Sequence, residues 1–176
     1  IAQRRDADDL LVGGSALQIS GNLAFGFLNN GAATGTTVDT TTDVKDVIQN
    51  FNVNRGSGSI TSYGSAAAVD IAPLSGAAGH NITFGKVRES VRDTLDDDAD
   101  SDLEEIIGTF NYDYGLMNRG SIFGNGLNIG FAATGMRIAG SADGAYTTTI
   151  AGGIFNSGQI QAQSYEANAV ALDIGR

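Results

Sequence analysis

Met117-Asn-Arg-Gly-Ser-Ile-Phe-Gly-Asn-Gly-Leu-Asn-Ile-Gly-Phe-Ala-Ala-Thr-Gly-Met-Arg-Ile138 decides how this chain is read, because both of its ends recur elsewhere. Its opening, an apolar residue followed by Asn-x-Gly, occurs four times, at Leu28 to Gly31, Val53 to Gly56, Met117 to Gly120 and Phe155 to Gly158. Its close, a small residue followed by apolar, any and Ile, also occurs four times, at Ala16 to Ile19, Ala68 to Ile71, Gly135 to Ile138 and Ala171 to Ile174. From the asparagine of one box to the isoleucine of the next, the separations are 17 (54 to 71), 20 (118 to 138) and 18 residues (156 to 174). Spacing this constant marks an internal repeat, and a repeat governs the fold before local propensity does. The duplication reaches further still, since Asp43 to Asn52 lines up with Asp102 to Asn111.

Each box has a local reading. In Ala68-Val69-Asp70-Ile71 the apolar side chains alternate with Asp70, the two-residue period of a half-buried strand. Leu17 and Ile19, Met136 and Ile138, and Leu172 and Ile174 repeat that pattern. Asn-x-Gly reads as a corner, because Asn and Gly tolerate positive φ and an Asn side chain can bond the turning backbone. A unit of strand and corner cannot bury its own apolar face, so the units must stack, with Val69, Ile71 and their counterparts as internal ladders. The expectation is an all-β fold, a parallel β-helix. Uneven intervals between boxes place insertions within 85 to 112 and around 36 to 48.

Composition agrees with a folded, turn-rich chain. There are 25 glycines and only 1 proline in 176 residues, too little proline for collagen, and too much Ile, Leu, Val and Ala for a disordered linker. That length suits a single domain, here taken as 1–176. The net charge of −10 repels nucleic acid and anionic lipid, so neither is expected as a partner. Cysteine is absent, which removes disulfides, thiolate metal sites and cysteine nucleophiles. No apolar run approaches the roughly 20 residues that span a bilayer, so no membrane insertion by this segment is expected. The chain opens on Ile1 without a signal-peptide pattern and stops within a repeat at Arg176, so it is expected to be part of a longer polypeptide.

The segments Tyr114 to Gly126, Ala133 to Gly140 and Gly152 to Ile160 resemble the passenger repeats of autotransporter-domain proteins from alphaproteobacteria. The resemblance covers most of 13–31, 51–72 and 114–176. It implies export, a right-handed β-helix and a C-terminal outer-membrane barrel; the sequence departs from that pattern in showing no barrel, so anchorage is not implied. Passengers of this family include adhesins and proteases, so the likeness specifies architecture more than activity.

Candidate chemistry is sparse. Asp96, Asp98, Asp100 and Asp102 alternate as oxygen ligands do in calcium loops, which makes calcium the one candidate ion. An EF-hand loop starting at Asp96 would need Gly and Glu where Ser101 and Ile107 stand, and the competing reading is a solvated acidic insertion loop over about 88–112. Just before it, Val87, Val91 and Leu95 fall at i, i+4 and i+8, the spacing of a short amphipathic helix over 86–95; equally, Ile82, Phe84 and Val87 read as another rung followed by loop, the preferred reading. His80, the sole histidine, has no Gly-x-Ser-x-Gly elbow with it and reads as a loop residue. Asp70, Arg137 and Asp173 are outward residues of equivalent strands and read as solvated decoration rather than an active site. The threonine tracts 40–42 and 147–149 stand in unlike contexts and make no repeated face.

The expected protein is therefore a right-handed β-solenoid, secreted or held at the bacterial cell surface, structural or adhesive and not an enzyme. Its expected partners are further copies or repeats stacked end to end and surface glycans. The alternatives are a carbohydrate-active β-helix enzyme and a calcium-dependent glycan-binding module.

Overall fold

A computed structural model describes residues 13–30, 57–92 and 106–175. Fourteen strands lie among them: β1 (Leu17–Ile19), β2 (Phe27–Asn29), β3 (Ser59–Tyr63), β4 (Val69–Ile71), β5 (Ile82–Phe84), β6 (Arg88–Arg92), β7 (Ile106–Asn111), β8 (Leu116–Asn118), β9 (Ser121–Ile129), β10 (Ala133–Ile138), β11 (Thr148–Ile150), β12 (Ile154–Asn156), β13 (Gln159–Tyr165) and β14 (Ala169–Ile174). The fold is all-β and dominated by parallel pairing, as the repeats require.

Twelve of the strands form four parallel sheets. The first sheet runs β1-β4-β10-β14, the second pairs β5 with β11, the third runs β2-β8-β12 and the fourth β3-β9-β13. Leu23 extends the second sheet through a parallel bridge to Phe84. Followed along the chain, the sheets are visited in one recurring order: β1, Leu23, β2, β3; then β4, β5, β8, β9; then β10, β11, β12, β13; and β14 begins again. Each strand thus pairs with its counterpart in the next pass.

The four alternating boxes fall on the first sheet in register. Leu17 pairs with Val69, Val69 with Met136 and Met136 with Leu172, while Ile19, Ile71, Ile138 and Ile174 form the parallel row. A one-residue slip would turn both rows outward, so burial of the apolar face holds the register. The middle pass is the dry centre: Val69, Ile71, Ile82, Phe84, Leu116 and Ile122 are each 0% exposed. Burying each such side chain contributes about 1.5–3 kcal/mol. The outer passes cover it with Leu17, Ile19, Leu23, Phe27 and Ile60 on one side and Ile150, Ile154 and Ile160 on the other, all only partly buried.

Two local expectations need correction. The asparagines of Asn-x-Gly do not turn the chain through positive φ: Asn29, Asn118 and Asn156 end strands β2, β8 and β12, and among described non-glycine residues only Leu127 and Glu166 have positive φ. The glycine is needed for proximity instead. A Cβ on Gly120 would lie 2.1 Å from the Gly58 carbonyl oxygen, and one on Gly158 would lie 2.0 Å from that of Gly120. The box at Val53 to Gly56 lies outside the described residues, as does 43–52, and Asn29 holds the place beneath Asn118.

The insertion expected as loop over about 88–112 leaves after Val87, but its limbs are strands. β6 and β7 pair antiparallel from Arg88 opposite Asn111 to Arg92 opposite Ile106, so 88–92 is neither loop nor the alternative helix. An isolated helix this short is marginal. The β-branched and aromatic residues in Ile106-Ile-Gly-Thr-Phe110 supply a partner strand of high β propensity.

Candidate functional site

The third sheet ends on a ladder of amides. Asn29 Nδ2 donates to Asn118 Oδ1 at 2.7 Å, and Asn118 Nδ2 donates to Asn156 Oδ1, also at 2.7 Å. The parallel register aligns the three residues. Their carbonyls hold the corner as well: the Asn29 oxygen accepts from Arg119 N and Gly120 N at 2.9 and 3.1 Å, and the Asn118 oxygen accepts from Ser157 N and Gly158 N at 2.9 and 3.0 Å. Any apolar residue at Asn118, which is 0% exposed, would leave the buried Asn29 donor unmet.

Beside this ladder sits a buried cation. The Arg119 side chain is 0% exposed and meets Glu89 Oε2 at 3.1 Å through Nη1. Its Nη2 donates to the Tyr112 hydroxyl at 2.7 Å, and that hydroxyl donates to Glu89 Oε2 at 2.6 Å. Asn30 closes the group by donating from Nδ2 to Glu89 Oε1 at 3.0 Å. Burial, helped by the bond to Glu89 and opposed by Arg119, pushes the Tyr112 phenol up to about 12. Arg119 Nε is buried with no hydrogen-bond partner among the described residues, so the described network falls one bond short of full satisfaction. Glu89 lies on β6 and Tyr112 just past β7, so the network fastens the antiparallel insertion to the corner between the third and fourth sheets.

On the outer side of the first sheet, Arg137 Nη1 meets Asp70 Oδ1 at 3.0 Å, with the Arg137 side chain 39% exposed. A pair so open contributes at most about 1 kcal/mol. Asp173 follows in register and is exposed. Where the chain passes from the first sheet to the second, Asp143 accepts from the Ser141 hydroxyl, Gly76 N and Ala145 N, and those bonds hold its carboxyl down at about 2. Ser141, Tyr146 and Thr148, with Ile138, Ile174 and Gly175, line an open groove of about 560 Å³ at the end of β14.

The calcium candidates Asp96, Asp98, Asp100 and Asp102 lie outside the described residues. Among the described residues, no group of three or more His, Cys, Asp or Glu side chains is placed to hold a metal ion. His80 is exposed just past a 3-10 turn at Gly76–Ala78. Of the threonine tracts, 40–42 lies outside the described residues, and Thr149 pairs in register with Thr83. Sequence reasoning missed the Arg119, Glu89 and Tyr112 network, and the arginine of Asn118-Arg119-Gly120 was no distinctive signal, since Asn54-Arg55-Gly56 carries one at the same place.

Together these features define an all-β protein of stacked parallel sheets, with a polar ladder at one corner and an antiparallel insertion locked beside it. Comparison with protein-family models, with curated proteins and with solved structures finds no match in any of the three.

Proposed function

We propose that this chain is an extracellular structural and adhesive element, a right-handed parallel β-helix of the autotransporter-passenger kind, whose copies join end to end. The observation that carries the reading is the recurring visit to the same four sheets, with equivalent box residues in register from pass to pass. Strands stacked about 4.8 Å apart make three passes only about 15 Å tall, so a surface fibre requires further passes above or below. Both outer passes present the means. Leu17, Ile19, Leu23, Phe27 and Ile60 leave apolar surface on one end. On the other, Val170, Leu172 and Ile174 are 40%, 38% and 66% exposed along β14, which among the described strands has a partner on one edge only. Open edges and apolar ends of this kind favour association.

Electron microscopy of the concentrated protein tests the reading. Filaments with an axial repeat near 4.8 Å are expected. A monodisperse particle that stays monomeric at high concentration sinks the filament.

A further inference from the structure

We infer that the outer face of the fourth sheet is a binding platform for a neutral polysaccharide, an inference that deepens the adhesive part of the proposed function and rests on it. Strands β3, β9 and β13 contain no charged residue, in a chain of net charge −10. Their inward residues are the buried or half-buried Ile60, Ile122 and Ile160, so the alternate residues face outward.

Register arranges those outward residues as a grid. Ser59, Ser121 and Gln159 form one row, Thr61, Phe123 and Gln161 the next, and Tyr63, Asn125 and Gln163 the third. Tyr165 extends the β13 edge, with its hydroxyl accepting from Gln163 Nε2 at 3.1 Å. Tyr63 is 55% exposed and Tyr165 is 50% exposed, and all three glutamines are exposed. Rows lie about 6.7 Å apart along the strands and columns about 4.8 Å apart across them, which makes a flat patch long enough for a few pyranose rings.

The chemistry of the grid matches a neutral sugar. Hydroxyls and carboxamides both donate and accept, as sugar hydroxyls require. Aromatic side chains offer apolar surface to the C–H faces of a pyranose, with a polar handle on each tyrosine. The backbone beneath is fixed by ladders on both sides of β9, so little ordering entropy is lost on binding. The uncharged grid has no cation for a uronate or sulfate, and the acidic chain repels anionic polymers. The first sheet differs: its outward row is Gln18, Asp70, Arg137 and Asp173.

Affinity electrophoresis in gels containing a neutral β-glucan, a neutral mannan or polygalacturonate tests the assignment. At least one neutral polymer is expected to retard the protein and polygalacturonate is not. The triple variant Tyr63→Ala/Gln161→Ala/Tyr165→Ala is expected to bind at least tenfold more weakly with its melting transition retained, while Gln18→Ala on the first sheet keeps full retardation. Should the triple variant unfold, Gln161→Glu alone, which places a charge in the grid, is expected to show the same weakening. Indifference to both neutral polymers, undiminished binding in the folded variants, or retardation by polygalacturonate alone overturns the platform. Filaments that bind neither polymer would leave the structural reading standing without it; glycan binding sensitive to these substitutions in a strict monomer would do the reverse.

Discussion

Asn29 and Asn118 stand 89 positions apart in sequence, yet their side-chain amides meet at 2.7 Å in the buried corner between the third and fourth sheets. Asn118 passes the chain of bonds on to Asn156, so the middle residue serves both neighbours. Asn118→Ala removes three bonds, the third being its Nδ2 donation to the Gln159 carbonyl oxygen at 3.2 Å, and strands a buried donor on Asn29; at about 1–3 kcal/mol for an unmet group, plus the lost bonds, the expected loss is about 2–4 kcal/mol. Asn156 ends the row and is exposed, so Asn156→Ala is expected to cost under about 1 kcal/mol. Urea denaturation of the two variants measures both, and equal losses would contradict the ladder.

Arg119 makes a second prediction. Removing one partner of a buried pair leaves the other charge uncompensated, at about 3–5 kcal/mol. Arg119→Met is therefore expected to release the β6 and β7 insertion before the parallel sheets. Hydrogen exchange reads this directly: amides of 88–92 and 106–112 should lose protection in the variant while those of β4 and β10 keep theirs. Because the residues act as a unit, Arg119→Met/Glu89→Gln should cost less than the sum of the single changes.

Tyr112 gives the network a pH signature. Its folded pKa of about 12 lies above the ordinary value of 10.0, so folding favours the protonated phenol. The stability this contributes is fully present below pH 10 and is lost as the pH climbs from 10 towards 12. Subtracting the phenolate absorbance titration of Tyr112→Phe from that of the native chain should leave a transition centred near 12; a difference centred near 10 would mean that the phenol is neither buried nor bonded to Glu89.

Two glycines separate space from backbone freedom. Gly120 has no positive φ, yet its Cβ would fall 2.1 Å from the Gly58 oxygen, so Gly120→Ala must push two passes apart. A loss of more than about 2 kcal/mol is expected, in the range of core overpacking. Gly14 has nothing within 4 Å and no positive φ, and Gly14→Ala is expected to be neutral or stabilising by up to about 1 kcal/mol. Thermal unfolding of both variants makes the comparison.

The sequence by itself determined the repeat. Alternation in Ala68 to Ile71 and its three counterparts specifies a strand and its inner side, because side-chain direction in a strand has a period of two. The recurrence of that box then requires stacking, since no single unit buries its own apolar face. Both consequences are local or periodic, so they can be read without knowing who pairs with whom. Only the tertiary structure decided the partners. It chose Asn29 to lie beneath Asn118, paired 88–92 with 106–111, and gathered Asn30, Glu89, Tyr112 and Arg119 into one buried group. It also aligned Gln159, Gln161 and Gln163 with the serines, threonine, tyrosine, asparagine and phenylalanine of β3 and β9. The alternation of those glutamines was visible in the chain, but a face arises only when three strands lie side by side; the apolar pattern fixes which side of each strand is buried, while which strands become neighbours is decided by long-range pairing.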